Sequence, residues 1–191
     1  MKSQLPADLD PATVVALGDT REQEPLNLHP LSVSSATLPT GDYSISGLQD
    51  VVAIERKSLD DLLGCIGQSR ERFDREILRL LAYPTRAVVV EASWRELEAG
   101  NWRSKITPAA ACGSVLGWIG LGIPFLFATD HASAGKAVSR MLFLAARRRY
   151  REARALVEGV QERQPVRSRN AVAPETVNSF CVPADAEGSS A

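Results

Sequence analysis

Residues 41–61 read GDYSISGLQDVVAIERKSLDD and contain the most informative pattern of the chain. Residues 51–57 begin as a β-branched, apolar run, which is typical of a buried strand. Residues 42–46 form a second, shorter extended run, and residues 47–50 between the two have the composition of a turn. The stretch therefore predicts a β-hairpin with a four-residue loop.

The length of that loop sets the register of the hairpin. If Ser46 pairs with Val51, Asp42 falls directly opposite Glu55. Two carboxylates that face each other across strands repel, and a fold that keeps such a pair usually recruits a cation. The alternative is that Asp42 is a turn residue and that Glu55 forms a surface ion pair with Lys57.

The strand period adds a lysine to this pair. Residues two apart on a strand point to the same face, so Glu55 and Lys57 share a side and Arg56 points away. A carboxylate can hold a hard cation through oxygen, and an ammonium beside it can orient a water or neutralise charge on a reacting phosphate. This arrangement favours a magnesium-dependent phosphodiesterase. Arg56 is expected to bridge Asp61 or the loop after Asp19.

A second acidic pair lies upstream, where a predicted buried strand at residues 13–17 opens into a loop. Asp19 and Glu22 follow that strand, in a position well suited to a cleft. The alternative is that Asp19 begins a turn and that Glu22 pairs with Arg21. Downstream, Asp61 has two interpretations of equal weight: a direct role in the site, or capping of a helix that begins after Ser58.

These motifs resemble the XPF-type structure-specific endonuclease domain, a DNA-repair and recombination branch of the restriction-endonuclease-like superfamily. The resemblance runs from about Val14 to about Leu156. It rests on residues 15–22, on Gly41-Asp42-Tyr43, on Glu55-Arg56-Lys57 with Asp61, and on Arg72-Phe73. It implies an α/β restriction-endonuclease-like fold with a central mixed β-sheet flanked by helices.

The resemblance also implies roles for single residues. The metal ligands would be Asp19, Asp42 and Glu55, the catalytic residues Lys57, Glu55 and Asp42, and the supporting residues Glu22, Arg56 and Asp61. The expected cofactor is Mg²⁺, for which Mn²⁺ would substitute. The expected activity is hydrolysis of DNA phosphodiester bonds at branched, flap or junction structures.

Two other functions stay open at this point. One is a non-catalytic DNA-binding or partner subunit of a nuclease complex, although known degenerate members of the family have lost acidic or lysine positions that are present here. The other is a Holliday-junction resolvase of the same superfamily. Family members commonly append helix-hairpin-helix modules or a helicase domain, which this sequence does not show, so a partner could supply them.

Arg72, Arg75 and Arg79 recur at helical spacing just after the hairpin, and they are candidates to bind DNA phosphates. Acidic residues are interleaved with them, so an ordinary solvated helix face is the alternative. A denser arginine cluster, the second candidate for DNA contact, lies near the end of the last predicted helix. It comprises Arg147, Arg148, Arg149, Arg151 and Arg154. The helix macrodipole favours cations there in any case.

Composition limits the remaining possibilities. With 191 residues, of which 45% are apolar, the chain can bury one core, so one domain is expected. The predicted organisation is a flexible leader at residues 1–12, a nuclease domain at residues 13–160 and a disordered tail at residues 161–191. Strands alternate with helices along the domain, which is typical of an α/β fold.

The scattered cysteines Cys65, Cys112 and Cys181 fit neither a disulfide framework nor a zinc site. No signal peptide or membrane-spanning run is visible, so a cytoplasmic, nucleoid-associated protein is expected. The net charge of −1 excludes a uniformly basic nucleic-acid coat and leaves local patches to provide DNA contacts.

A homodimer is expected from the C-terminal half. Residues 108–121 are apolar on nearly every face of a predicted helix, so a face that does not pack on the sheet needs another cover. A second apolar stripe follows at residues 138–145. The resemblance favours pairing through this region. The alternative is that the two helices cover each other within one monomer.

Overall fold

The computed structural model describes residues 6–162. After a 3-10 turn at Pro11–Thr13, the elements are β1 (Val15–Asp19), β2 (Ser32–Ala36), β3 (Tyr43–Ile45), β4 (Val52–Ser58), α1 (Leu59–Ile66), α2 (Arg70–Leu80), β5 (Thr85–Glu91), α3 (Trp94–Ala99), α4 (Pro108–Gly120), β6 (Phe125–Phe127) and α5 (His131–Glu162). Residues 1–5 of the predicted leader and nearly all of the predicted tail lie outside the described residues.

The strands form one six-stranded sheet in the order β2-β1-β3-β4-β5-β6. Strand β3 is antiparallel to both β1 and β4, whereas the pairs β1–β2, β4–β5 and β5–β6 are parallel. The carboxyl ends of β1, β4 and β5 therefore meet at one edge, beside the start of β3. In α/β sheets this is the edge where ligands bind. The predicted α/β fold with a mixed sheet is confirmed.

Alternation along the central strands divides the core into two layers. Ile54 of β4 and Val89 of β5 belong to a cluster that includes the buried side chains of α5. Ala53 and Val88, one residue earlier on each strand, belong to a second cluster with α1, α2 and α4. Helices α4 and α5 thus cover opposite faces of the sheet. The alternative in which these two helices cover each other is wrong.

Helices α1 and α2 position the site because they follow β4 directly. Helix α1 begins after Ser58, whose Oγ accepts a hydrogen bond of 3.1 Å from the amide of Asp61. Helix α2 buries Phe73 and Ile77 against the sheet. The polar faces of the two helices are thereby left on either side of the carboxyl end of β4.

Helix α5 packs closely on the loop before β2. A Cβ at Gly135 would lie 2.7 Å from the carbonyl oxygen of Asn27, so only glycine permits this approach. Ser139 Oγ donates a hydrogen bond of 2.8 Å to the carbonyl of Leu28. None of the helices within residues 6–162 is both long and apolar enough to cross a membrane.

The late arginines of α5 bind the segment that precedes β1. Arg147 forms an ion pair with Asp8, and Arg154 Nη1 donates a hydrogen bond of 2.6 Å to the carbonyl of Ala7. Tyr150 Oη donates to the carbonyl of Pro6 over 2.6 Å. Part of the cluster considered for DNA contact is therefore engaged within the chain, by residues that were assigned to the leader.

Candidate active site

The Gly41-Asp42 pair brings a carboxylate against the central strand. Gly41 has φ +76°, a conformation that favours glycine, and a Cβ there would lie 3.0 Å from the carbonyl oxygen of Ile54. Because no side chain intervenes, the amide of Asp42 can donate a hydrogen bond of 2.8 Å to that carbonyl. Glycine is therefore required at position 41 both for the positive φ and for the close approach of the backbone to Ile54.

Asp42 lies just before β3 and is hydrogen-bonded to the residues of β4 on either side of Glu55. In the hairpin, Tyr43 pairs with Ile54, which is the register that the loop length predicts. Asp42 Oδ2 accepts a hydrogen bond of 2.8 Å from the amide of Arg56, while its own amide binds the residue before Glu55. Asp42 Oδ1 has no hydrogen bond to any of the residues that the structure describes.

Glu55 and Lys57 share one face of β4, as the strand period predicts. Lys57 Nζ contacts Glu55 Oε1, and it lies 5.5 Å from the centre of the Phe73 ring. Glu55 is only 2% exposed, and its second oxygen, Oε2, is buried without a hydrogen-bond partner among the described residues. A buried carboxylate oxygen without a partner is costly, which marks this atom as a ligand position.

The electrostatics of the three groups are linked. Burial raises the pKa of Asp42 to about 6, although the Arg56 amide and the Lys57 charge act against this. Burial also raises the pKa of Glu55, opposed by Lys57 and reinforced by Asp42 and Glu76. Burial disfavours charge on Lys57, but the Glu55 carboxylate raises the pKa of Lys57 overall. The raised pKa values mean that the negative charges of the two carboxyls are poorly compensated, and a cation would stabilise their ionised forms.

Asp19 lies next to Asp42, because its amide donates a hydrogen bond of 2.8 Å to the carbonyl of Asp42, but its carboxylate is bound by Arg21. Arg21 binds both of its oxygens, with Nε 2.6 Å from Oδ1 and Nη2 2.9 Å from Oδ2, and the amide of Leu38 donates to Oδ2 over 2.7 Å. The Arg21 hydrogen bond is the main cause that lowers the pKa of Asp19 to about 2. Across residues 6–162, no three side chains of the metal-binding types gather into a candidate metal site.

Arg56 points to the opposite face and ties together the loop after Asp19 and the end of β5. Its guanidinium donates to both oxygens of Glu91, at 2.7 and 2.9 Å, and to Glu22 at 3.3 Å and Glu24 at 3.1 Å. Of the two expected partners of Arg56, the loop is observed and Asp61 is not. Glu22 is therefore a partner of Arg56, and the alternative pairing of Glu22 with Arg21 is not observed within residues 6–162.

Asp61 caps α1 and also lines a small cleft. Ser58 Oγ donates a hydrogen bond of 2.7 Å to Asp61 Oδ2, in return for the bond it accepts from the Asp61 amide. The cleft, about 200 Å³ in volume, is lined by Lys57, Asp61 and Arg72 among others. Of the three arginines proposed for DNA contact, Arg72 is the one placed in this cleft. Arg75 and Arg79 are exposed along the same helix.

Sequence reasoning missed two acidic residues near the site. Glu76 of α2, one of the acids interleaved with the arginines, adds negative charge near Asp42, Glu55 and Lys57. Its position three residues after Phe73, on the same side of a helix, was the available signal. Glu91 had no such signal, because its contact with Arg56 depends on how β5 pairs with β4.

Residues 18–141 match the family of the ERCC4 domain, which covers more than half of the chain and all of the site described above. The chain belongs to the ERCC4 domain family. The resemblance to an XPF-type nuclease domain is thereby confirmed. No curated protein sequence matches the chain.

Solved structures share the fold of this ERCC4 domain. XPF from Aeropyrum pernix is similar with a TM-score of 0.58 and 21% identity, over 70% of this chain and 62% of that one. The same protein in complex with DNA is similar with a TM-score of 0.58 and 20% identity, over 70% of this chain and 65% of that one. The ERCC4 domain chain thus spans less than two thirds of these XPF chains.

Proposed function

We propose that this ERCC4 domain is a magnesium-dependent endonuclease that hydrolyses phosphodiester bonds in DNA. The proposal rests chiefly on the buried carboxylate of Glu55, of which one oxygen contacts Lys57 and the other has no hydrogen-bond partner within residues 6–162. In a purely structural ion pair, the second carboxylate oxygen would be expected to accept a hydrogen bond as well. A divalent cation would satisfy it and would offset the negative charge shared with Asp42.

The donor set fits magnesium. Mg²⁺ prefers oxygen ligands, keeps several waters and is commonly bound through one or two carboxylates. Asp42 Oδ1 and Glu55 Oε2 supply two such oxygens, and Mn²⁺, which accepts the same ligands, would substitute. Asp19 would join them only if Arg21 released its carboxylate, and Arg21 is exposed enough to move.

The side chains around these carboxylates have separate roles in the proposed reaction. When bound, the ion would supply Lewis-acid chemistry at the phosphate. Lys57, held protonated by Glu55, places a positive charge next to the reacting phosphate and can orient the attacking water. Arg72 lies in the same cleft and can hold a neighbouring phosphate oxygen. Asp61 keeps α1 in place beside Lys57.

The proposed substrate is DNA with a branch, a flap or a junction, processed during repair or recombination at the nucleoid. Membership of the ERCC4 domain family and the likeness to an XPF solved in complex with DNA support this choice. The exposed arginines Arg72, Arg75 and Arg79 add a basic helix face next to the cleft.

The proposal is tested by incubating the purified protein with labelled duplex, flap, fork and four-way junction DNA, with and without Mg²⁺ or Mn²⁺. We expect cleavage of at least one branched substrate, and only with the metal. Binding without cleavage of any substrate would identify a non-catalytic partner subunit. Cleavage confined to the four-way junction would identify a resolvase.

We also propose that the protein is a homodimer that pairs through the edge of the sheet at β6. Helix α4 buries Ala111, Val115 and Trp118 against the sheet, and its other side exposes Leu116 and Ile119. Neighbouring residues Leu121 and Leu126, the latter on the edge strand, are exposed as well. Apolar exposure across a helix and an unpaired edge strand is characteristic of an interface.

A charged substitution on α4 is expected to make the protein monomeric. Leu116 is 55% exposed, so Leu116→Glu should leave the fold intact and introduce a charge into the interface. Light scattering at micromolar concentration measures the outcome, and Leu78→Glu, at an exposed leucine of α2, is the matched control. Trp118 cannot serve this purpose, because it is 1% exposed and hydrogen-bonded to Asp74. A wild-type protein that is monomeric at every concentration would end the dimer proposal.

A further inference from the structure

A second and larger groove lies on the other side of helix α1. It has a volume of about 720 Å³, which is within the range of roughly 300–1,000 Å³ typical of ligand sites. Its lining includes Gly64, Gln68, Arg103, Ser104 and Lys105. We propose that this groove, hereafter the α1 groove, binds the phosphate backbone of a DNA arm that extends from the catalytic cleft. The inference rests on the proposed endonuclease function.

The α1 groove and the catalytic cleft are neighbours. Asp60 and Gly64 of α1 line both, so a strand that leaves Lys57 and Arg72 reaches the groove by passing over this helix. At Gly64 a Cβ would meet no atom within 4 Å, so the helix surface there is open. Glycine at this point leaves room for a chain to cross.

The basic wall of the groove is a fixed loop between α3 and α4. Trp102 Nε1 donates a hydrogen bond of 2.8 Å to the carbonyl of Ile106, which closes the loop across its base. The amide of Ile106 donates to Ser104 Oγ over 3.2 Å. Ile106 also approaches the end of α1, since a Cβ at Gly67 would lie 3.4 Å from its Cδ1. The loop therefore presents Arg103 and its neighbours from a preorganised position.

The two cations of this loop are not used elsewhere in the described part of the chain. Arg103 and Lys105 are exposed and take part in none of its ion pairs. By contrast, Arg70 of α2 binds Asp74, and Arg86 of β5 binds the carbonyl of Gly122 at 3.0 Å. The α1 groove thus offers two available positive charges.

The chemistry of the lining selects the backbone of DNA and not its bases. Guanidinium, ammonium, amide and hydroxyl groups all donate to phosphate oxygens, and no aromatic side chain lines the groove to stack a base. The contact is therefore independent of sequence. The only acidic lining residue is Asp60, at the junction with the cleft, so the bound phosphates lie at the end formed by Arg103 and Lys105.

The first test removes the charges. Binding of DNA with a short and with a long single-stranded arm is measured for the wild type, for Arg103→Ala/Lys105→Ala, and for Arg95→Ala as a control on α3 outside the groove. We expect the wild type to bind the long arm more tightly. The double variant should lose about tenfold in affinity for the long arm, and its salt slope should fall by about 1.4, as expected for two lost single-strand phosphate contacts.

The outcomes separate this inference from the proposed function. If the double variant retains the arm-length preference, or if the wild type has none, the α1 groove is not a DNA site, whatever the cleavage result. If the preference is lost in the double variant but the wild type never cuts, the groove is supported and the endonuclease proposal fails. Asp60→Asn should strengthen binding of the long arm, because it removes the only negative charge of the lining.

A steric variant tests the path independently of charge. Gly64→Leu adds a side chain at a position where a Cβ meets no atom within 4 Å. Because leucine has a higher helix propensity than glycine, folding should be preserved. It should abolish the preference for the long arm. Gly159→Leu, at an equally open helical glycine outside the groove, is the control. An unchanged preference in Gly64→Leu would show that the arm does not cross α1.

Discussion

Replacing Glu55 with glutamine is expected to abolish metal-dependent cleavage while DNA binding survives. Glutamine keeps the shape of the side chain but offers a cation only a neutral carbonyl oxygen, and it removes the negative charge that neutralises Lys57. We expect a loss of about 100-fold or more in the single-turnover rate, on the scale known for the loss of one key electrostatic group. Asp42→Asn should have a similar effect, because Asp42 is the second carboxylate beside Glu55.

A matched variant controls for simple loss of charge. Glu24→Gln removes a carboxylate that is 75% exposed and touches only the outer side of Arg56, so cleavage should stay near the wild-type rate. DNA affinity, measured by fluorescence anisotropy in the absence of divalent metal, should change little in Glu55→Gln. If the Asp42→Asn/Glu55→Gln double variant cuts as fast as the wild type, the site has been assigned to the wrong residues.

Lys57 should act on the chemical step more than on binding. Its side chain is only 15% exposed and packs against Glu55 and Phe73, so it contributes little to the initial attraction of DNA. We therefore expect Lys57→Ala to lower turnover far more than DNA affinity. A variant that cuts normally once saturated but has lost affinity would reverse this assignment and make Lys57 a binding residue.

Replacing Arg56 with alanine is expected to have the largest effect on stability of any single substitution near the site. The guanidinium is 9% exposed, and it binds Glu22 and Glu91, whose side chains are 8% and 10% exposed. Removing one partner of a buried ion pair leaves uncompensated charge, at a cost of about 3–5 kcal/mol. The free energy of unfolding, from urea denaturation, should fall by about this amount.

Two variants sharpen that measurement. Arg56→Lys should recover little of the stability, because a single ammonium cannot reproduce the two hydrogen bonds to Glu91 together with those to the loop. Glu24→Gln should cost well under 1 kcal/mol, since exposed ion pairs contribute little. If the free energy of unfolding of Arg56→Ala lies within about 1 kcal/mol of the wild-type value, the ion pairs of Arg56 do not stabilise the loop after Asp19.

The local arrangement at the centre of the site could be predicted from strand alternation and loop length. The period of two on β4 places Glu55 and Lys57 on one face and Arg56 on the other, because alternation is a property of any extended chain. The length of the hairpin loop set the register, which the pairing of Tyr43 with Ile54 confirms. The family followed from the same few residues.

The tertiary structure decided the contacts between elements that are distant in sequence. The carboxylate of Asp19 is bound by Arg21 and by the amide of Leu38, because β2 runs parallel to β1 and the segment after β2 lies beside the end of β1. Glu91 reaches Arg56 only because β5 lies next to β4.

The packing of the helices likewise could not be predicted from their apolar stripes. Helices α4 and α5 both carry such a stripe, but the order of the strands and the crossovers between them place the helices on opposite faces of the sheet. Periodicity records which side chains of one element share a face, whereas the neighbour of that face depends on how the whole chain is folded.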